Sequence, residues 1–559
     1  MKKFIYNVET GLYSLLNILA ILNFQFLFLK LVRIEARSNY YYTIISIALL
    51  LLYILFRLFR HGFSFGRLRD VSPDLLFIGI GLFVADSHRV FQFYLLGRQT
   101  FILIRNMALS GYKGKFIDKL SDNPPVFVLF SFFLAIFIGT LLLLLPSATV
   151  PGEETSLIGG LFTSTSATCV TGLIVYDTGS HFTFFGQMII LFLIQIGGLG
   201  IMTVSSAFAI MLGQRLSIKS ESVIQNVVGE SSKIDMIRLV KNIIAVTFIF
   251  ELIGALLLYL TFHDRFTQTG EAIYCSVFHS ISAFCNAGFC LFKNNLMEFK
   301  SNFNINAVIT SLIILGGIGF PVLVDIRANI MGGLKLSRFS LHSKIVLTCT
   351  LILILAGLVC FFIAEYNDTM KGFSLQDRLF ASYFQSVTAR TAGFNTIDNS
   401  LISKPSVLIT IILMFIGASP GSTGGGIKTT AFVIIVVSVL AMLKGYKDVN
   451  VFKRKVADDI IRKVMALITA SLALLSILIF LLLIIEPFAF ERTVFEAFSA
   501  FGTVGLSMGI TPYMSEAGKM IIILLMYLGR VGPLTLIFAI SETKSKSYYS
   551  YTEEKIGIG

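Results

Sequence analysis

Four short stretches pair small hydroxylated residues with a closing glycine: Phe162-TSTSA-TCVT-Gly172, Phe278-HSISA-FCNA-Gly288, Phe384-QSVTA-RTA-Gly393 and Phe495-EAFSA-FGTV-Gly505. They share the core Phe-x-(Ser/Ala)-x-(Ser/Thr)-Ala, and the third copy is one residue shorter before its glycine. At about twelve residues, each is too short to cross a bilayer and must leave on the side it entered. Non-helical backbone at membrane depth is tolerated only beside water or inside protein. What such a stretch offers chemically is its carbonyl oxygens, which can replace the hydration shell of a cation. Glycine is needed because strands of this kind use backbone angles closed to residues with a Cβ. Four copies in one chain would supply a four-fold ring. Helix packing through small residues is the competing explanation, but packing requires neither the half-length segments nor the preceding Phe.

A second stretch, Gly417-ASPGSTGGGIKTT, is flanked by apolar LITIILMFI and AFVIIVVSVLAML. Pro420 removes a backbone donor, and the glycines and hydroxyls leave no continuous helix through it. A phosphate-binding loop fails on spacing, because Ile427 separates Gly426 from Lys428. Lys428 stays open between pairing within the loop and placing charge near a pore. Arg530 lies inside the apolar run Met520–Ile540, where a charge is costly and usually functional. Glu251 is a weaker case of the same kind, and a neighbour's hydrogen bond would account for it.

The elements that must position these residues are membrane helices. Of 559 residues, 55% are hydrophobic and only 14% charged, with mean hydropathy +0.83. Soluble domains carry about a quarter charged residues, so a soluble enzyme is excluded, and so is disorder. Uncharged runs such as Val126–Pro146, Phe184–Leu212 and Val464–Ile485 reach the ~20 residues of a spanning helix. The fold class is an all-α polytopic membrane protein. The net charge of +13 is explained by basic cytoplasmic loops rather than nucleic acid. The six cysteines form no CxxC pair and read as small apolar residues. No catalytic constellation is visible, so no enzyme is expected.

An internal repeat follows residue 125: a long apolar helix, a short glycine-closed segment, then a second long helix with glycines at its middle. The last carry Ile196-Gly-Gly-Leu-Gly200, Leu315-Gly-Gly-Ile-Gly319, Ile416-Gly-Ala-Ser-Pro-Gly421 and Leu528-Gly-Arg-Val-Gly532. The repeats span 126–212, 239–331, 343–443 and 463–541. They follow an N-terminal extension, 1–125, with two or three apolar helices, and precede a tail, 542–559. Basic residues cluster after the second helices (Lys219, Arg238, Arg327, Lys344, Lys447, Arg454) and are missing between Pro146 and His181. The short segments therefore enter from the outer face of the cytoplasmic (inner) membrane, with both termini in the cytoplasm.

Residues 126–541 resemble the superfamily of K+ transporters that includes TrkH, KtrB and the plant HKT proteins, built like four fused M1–P–M2 units of a K+ channel around a central pore. Thr503-Val504-Gly505-Leu506 is similar to the channel signature TVGYG. The resemblance implies a K+ selectivity filter at Thr171, Gly172, Ala287, Gly288, Ala392, Gly393, Val504 and Gly505. It implies a gate formed by Gly421, Ser422, Thr423, Gly424, Gly425, Gly426 and Lys428 with Arg530 beneath the filter. Glycine rather than serine at position 172 goes with K+ preference in that family. The resemblance further implies a homodimer docked on a cytoplasmic ring of nucleotide-binding (RCK-type) regulatory subunits, with no cofactor of its own. The remaining readings are a Na+-permeable or Na+-coupled member of the family, and a secondary transporter of a small solute built from broken helices.

Overall fold

The structure, a computed structural model, describes residues 124–200, 236–331 and 339–532. The expected N-terminal helices, the ends of the first and fourth repeats and the tail lie outside the described residues. Contacts divide the chain into two units, residues 1–118 with 145–154 and residues 119–144 with 155–559. All helices named below belong to the second.

The element order repeats. Helix α1 (Pro124–Leu143) is followed by short α2 (Leu157–Thr168) and α3 (Phe184–Leu199); α4 (Met236–Phe262) by short α5 (Thr269–Phe284), α6 (Phe303–Gly317) and α7 (Phe320–Met331). Then come α8 (Leu341–Glu365), short α9 (Leu375–Thr388), α10 (Lys404–Phe415) and α11 (Thr429–Leu443). A small hairpin, β1 (Asn450–Val451) with β2 (Arg454–Lys455), leads to α12 (Asp458–Ile485), short α13 (Phe490–Gly502) and α14 (Glu516–Val531). Three helices among the described residues are long and apolar enough to cross a membrane, within 242–265, 341–365 and 458–485.

Polarity is arranged for lipid. The long helices expose Phe133, Leu252, Ile363 and Ile484, while Ser164, Thr165, Ser166 and Thr168 of α2 are fully buried. Two of the helix's hydroxyls are satisfied within it, Thr163 donating to Gly159 O at 2.9 Å and Thr165 to Leu161 O at 2.7 Å, while Thr168 Oγ1 has no partner among the described residues. Two of the four short helices begin at serine caps, Ser156 accepting from Gly159 N at 3.0 Å and Ser374 from Asp377 N at 3.1 Å.

Packing then closes the four units in a cycle. Each long helix lies on its own short helix, α1 on α2, α4 on α5, α8 on α9 and α12 on α13. Each second helix also packs on the next unit's short helix: α3 on α5, α6 on α9, α10 on α13, and α14 back on α2. Three of the first contacts share a device. Ser164, Ser280 and Ser386 donate to the carbonyls of Ile136, Glu251 and Ile354 at 2.8, 2.6 and 2.8 Å. Three residues on from each carbonyl stands a glycine, Gly139, Gly254 or Gly357, where a Cβ would collide with that serine hydroxyl. The fourth unit has Ala497 at the serine position and lacks the device.

The second helices differ from the sequence expectation. In the first, second and fourth units they carry the first glycines of the motif but stop or bend at its last. Helices α3 and α14 stop before Gly200 (φ 79) and Gly532 (φ 89), and α6 is bent by 102° from α7 around Gly319 (φ 93). The reason is close approach: a Cβ on Gly197, Gly316 or Gly529 would strike the carbonyl of Thr168, Phe284 or Phe501 at the foot of a short helix. Glycine there lets the helices touch, and glycine with positive φ next to it ends them.

Candidate functional site

Each short helix ends in the same backbone sequence. A residue in the left-handed region (Val170 φ 57, Asn286 φ 59, Thr391 φ 74, Thr503 φ 49) is followed, two positions on, by Gly172 (φ 92), Gly288 (φ 70), Gly393 (φ 78) or Gly505 (φ 90). Three of the four leading residues are β-branched, for which this conformation is strained. The strain is held by hydrogen bonds. Thr171 N, Ala287 N and Val504 N donate five residues back to Ser166 O, Ser282 O and Ser499 O at 2.8, 2.7 and 2.8 Å. In the third unit Ala392 N reaches only four residues back, to Thr388 O at 3.0 Å. The shorter third copy thus loses its residue from this turn and keeps the strand that follows.

The Ser/Thr of the shared motif ties the strand to its helix in all four units. Ser166 and Ser499 accept from Gly172 N and Gly505 N at 3.0 and 3.1 Å. Ser282 and Thr388 donate to Phe289 O and Phe394 O at 2.8 and 2.5 Å.

The four glycines come together. A Cβ on Gly172 would strike Ala287 O, one on Gly288 would lie 2.7 Å from Ala392 O, one on Gly393 2.5 Å from Val504 O, and one on Gly505 would strike Thr171 O. Each unit therefore presses its glycine on the carbonyl preceding the next unit's glycine, and the fourth presses on the first. This is a closed ring of four backbone strands, in chain order, in which every side chain beyond hydrogen at the glycines would collide.

In the second, third and fourth units the residue after the motif Phe holds the loop beyond the ring. Glu496, fully buried, accepts from Ser507 Oγ, Met508 N and Thr511 Oγ1 at 2.5, 3.1 and 3.0 Å. Gln385 donates to Asn399 at 2.8 Å, and His279 lies 3.1 Å from Cys290 Sγ and accepts from Leu291 N at 3.3 Å. Sequence reasoning passed over these residues because the position varies in type; its fixed place after Phe was the available signal. Arg390 was also missed. It is 8% exposed, where the other units have Cys169, Cys285 and Gly502, and its Nε has no acceptor among the described residues. A charge within a short glycine-closed segment was the signal.

The glycine-rich stretch lies between α10 and α11 as an irregular loop, Ile416–Lys428, pinned by a parallel bridge between Ile416 and Ile427. Its side chains are few, and the backbone supplies the anchors. Ser419 N and Thr423 N donate to Gly317 O and Gly316 O at 3.0 and 3.3 Å, and Phe320 N donates to Gly421 O at 2.9 Å. Thr423 Oγ1 donates to Phe284 O at 3.3 Å, and Gly425 N donates to Thr503 Oγ1 at 2.9 Å. A Cβ on Gly424 would collide with Thr391 Oγ1. Lys428 takes the local option, donating to Gly424 O at 2.7 Å. Ser422 and Gly426 complete the loop, the latter with φ 70.

Arg530 is not in mid-helix, as the apolar run Met520–Ile540 suggests. It sits in the last turn of α14, where unpaired carbonyls favour a positive charge. Its two terminal nitrogens donate to Thr423 O in the loop and Gly197 O at the foot of α3. Glu251 is buried and accepts from Gln195 at 3.2 Å, which accounts for it locally. The loop thus touches the second, third and fourth units directly and reaches the first through Arg530.

Comparison with known proteins agrees with this architecture. Residues 103–551 match the TrkH family, described as cation transport protein. The chain is 43% identical over 449 residues to the Ktr system potassium uptake protein B of Bacillus subtilis, covering 80% of this chain and 99% of that one. It is 36% identical over 444 residues to the potassium/sodium uptake protein NtpJ of Enterococcus hirae, covering 78% and 97%. The crystal structure of the potassium transporter TrkH from Vibrio parahaemolyticus superposes with a TM-score of 0.62 at 17% identity, covering 85% of this chain and 98% of that one.

Proposed function

Since the chain belongs to the TrkH family of cation transport proteins, we propose that it takes up K+ across the cytoplasmic membrane through a pore whose narrowest part is the ring of four glycine strands. It is a membrane transporter and not an enzyme. The observation that carries the reading is the closed cycle in which Gly172, Gly288, Gly393 and Gly505 each abut the carbonyl preceding the next glycine. Thr171, Ala287, Ala392 and Val504 supply those carbonyls, which replace water around the ion. A backbone ring asks for a dehydrated cation of fixed size, while a small organic solute would need side-chain contacts.

The loop of Gly421–Gly426 with Lys428 is the gate, and Arg530 holds it in place and sets a positive charge below the ring. The chain works as a homodimer on a cytoplasmic ring of nucleotide-binding subunits, so the regulatory nucleotide resides on another polypeptide. Complementation tests the central point. A bacterial strain deficient in K+ uptake, expressing this chain, is expected to grow on low-K+ medium. Growth restored only by added Na+ favours the Na+-coupled alternative suggested by the name of the Enterococcus relative; no growth with the protein present in the membrane, both with and without a co-expressed regulatory subunit, rejects the reading.

A further inference from the structure

The loop and the ring are joined by one side chain. Gly425 N donates to Thr503 Oγ1 at 2.9 Å, and Thr503 is the left-handed residue (φ 49) that turns the fourth helix into its strand. A β-branched residue does not hold that conformation unless its surroundings fix it. Two of its fixings are visible: its own N–H bonded to Ala500 O at 3.1 Å, and its hydroxyl bonded to the loop. The equivalent corners differ. Val170 has no hydroxyl, while Thr391 Oγ1 faces Asn286 Nδ2 at 3.2 Å. Only at Thr503 does a side chain of the ring's corner residues accept a hydrogen bond from the loop, among the described residues.

We infer that Thr503 is a latch between gate and filter, a positioning residue through which the closed loop is held against the turn that carries the fourth strand. The inference rests on the reading of the loop as a gate. It adds that the two are mechanically one: when the loop leaves, Thr503 loses the donor that fixes its rotamer, and the fourth corner of the ring is released with it. The glycine at 425 fits this role, since a Cβ there would press on the same hydroxyl.

The test is K+ flux of the full-length protein in liposomes, for Thr503→Val, Thr503→Ser, Arg530→Ala and the double variant Thr503→Val/Arg530→Ala. Valine keeps the shape and removes the acceptor; serine keeps the acceptor. Loss of one net hydrogen bond corresponds to about a fivefold shift in a two-state equilibrium. Expected are a rise of about fivefold for Thr503→Val, none for Thr503→Ser, and a double variant no faster than Arg530→Ala alone, because both changes free the same loop. If Arg530→Ala raises flux and Thr503→Val does not, the latch is wrong and the gate stands. If the two effects multiply, Thr503 acts on the strand alone and the latch is likewise wrong. If Arg530→Ala leaves flux unchanged, the gate reading itself falls. Gly425→Ala approaches the contact from the loop side, and should Thr503→Val not fold, an unchanged flux in Gly425→Ala overturns the latch by itself.

Discussion

Gly505, in the last of the four units, lies against Gly172, in the first: a Cβ on Gly505 would stand 3.0 Å from the Gly172 Cα and collide with the carbonyl before it. Residues more than three hundred positions apart are thereby neighbours, and one chain closes on itself as four subunits otherwise would.

Replacing Gly172 by Ser is expected to weaken K+/Na+ discrimination. The serine must adopt φ 92 and push its Cβ onto Ala287 O. Holding it there costs of order 1–3 kcal/mol, so the strand moves instead and the ring widens at one corner. A drop in the K+/Na+ flux ratio of about tenfold, measured with both ions in liposomes, is the expected outcome. An unaltered ratio removes Gly172 from the filter.

Arg530→Ala is expected to raise K+ flux and to weaken its dependence on a regulatory subunit. The change deletes two charge-assisted hydrogen bonds, to Thr423 O and Gly197 O. Such bonds are worth about 1.5–3 kcal/mol each, so the increase is tenfold or more. Deleting part of Gly421–Gly426 acts in the same direction. Flux in the two variants, with and without the subunit, decides the matter; equal or lower flux in both leaves the loop a structural break.

Glu496→Gln is expected to destabilise the fourth unit. The amide keeps one oxygen for Ser507 Oγ and Met508 N but loses the charge that strengthens those bonds, and its NH2 lies where Thr511 Oγ1 donates, so that hydroxyl must turn from donor to acceptor. The cost is about 1–3 kcal/mol, visible as a lower midpoint of thermal unfolding in detergent and a lower flux. Glu491→Gln is the control, since the Glu491 carboxylate pairs with the exposed Lys404 at 3.7 Å and exposed pairs contribute little.

Gly357→Ala is expected to lower the unfolding midpoint, whereas Gly270→Ala is expected to leave it unchanged. A methyl at 357 collides with Ser386 Oγ and displaces its bond to Ile354 O, while at 270 nothing stands within 4 Å. Equal midpoints for the two variants would contradict the serine–glycine contact as a stabilising device.

Much of this site is legible along the chain because it repeats. Phe and Ser/Thr recur at a fixed offset, with Gly ten residues after the Phe in three copies and nine in the third, and the Ser/Thr proves to be the hydroxyl that ties strand to helix in every unit. Features without a local period were not legible. Gly139, Gly254 and Gly357 meet serines 25, 26 and 29 positions later, and such pairings depend on how two helices cross. The helix ends at Gly200 and Gly532 were hidden because the apolar run continues past them, and hydropathy does not register a change of φ. Arg530 was visible as a charge in an apolar segment, but its two acceptors lie 107 and 333 residues away. Glu496 and Gln385 were hidden by their dissimilarity, although both fasten the loop beyond the ring.

The four corners of the ring are Val170, Asn286, Thr391 and Thr503, no two adjacent ones alike in what they can accept or donate except the last pair. A channel assembled from identical subunits alters every corner with each mutation, so a harmful change arrives fourfold and a small adjustment is unreachable. Here a single codon moves a single corner. With the ring as the proposed filter, ion preference would drift by quarter-steps under selection, and the difference between a corner bonded to the loop and another left apolar is open only to a ring written in one gene.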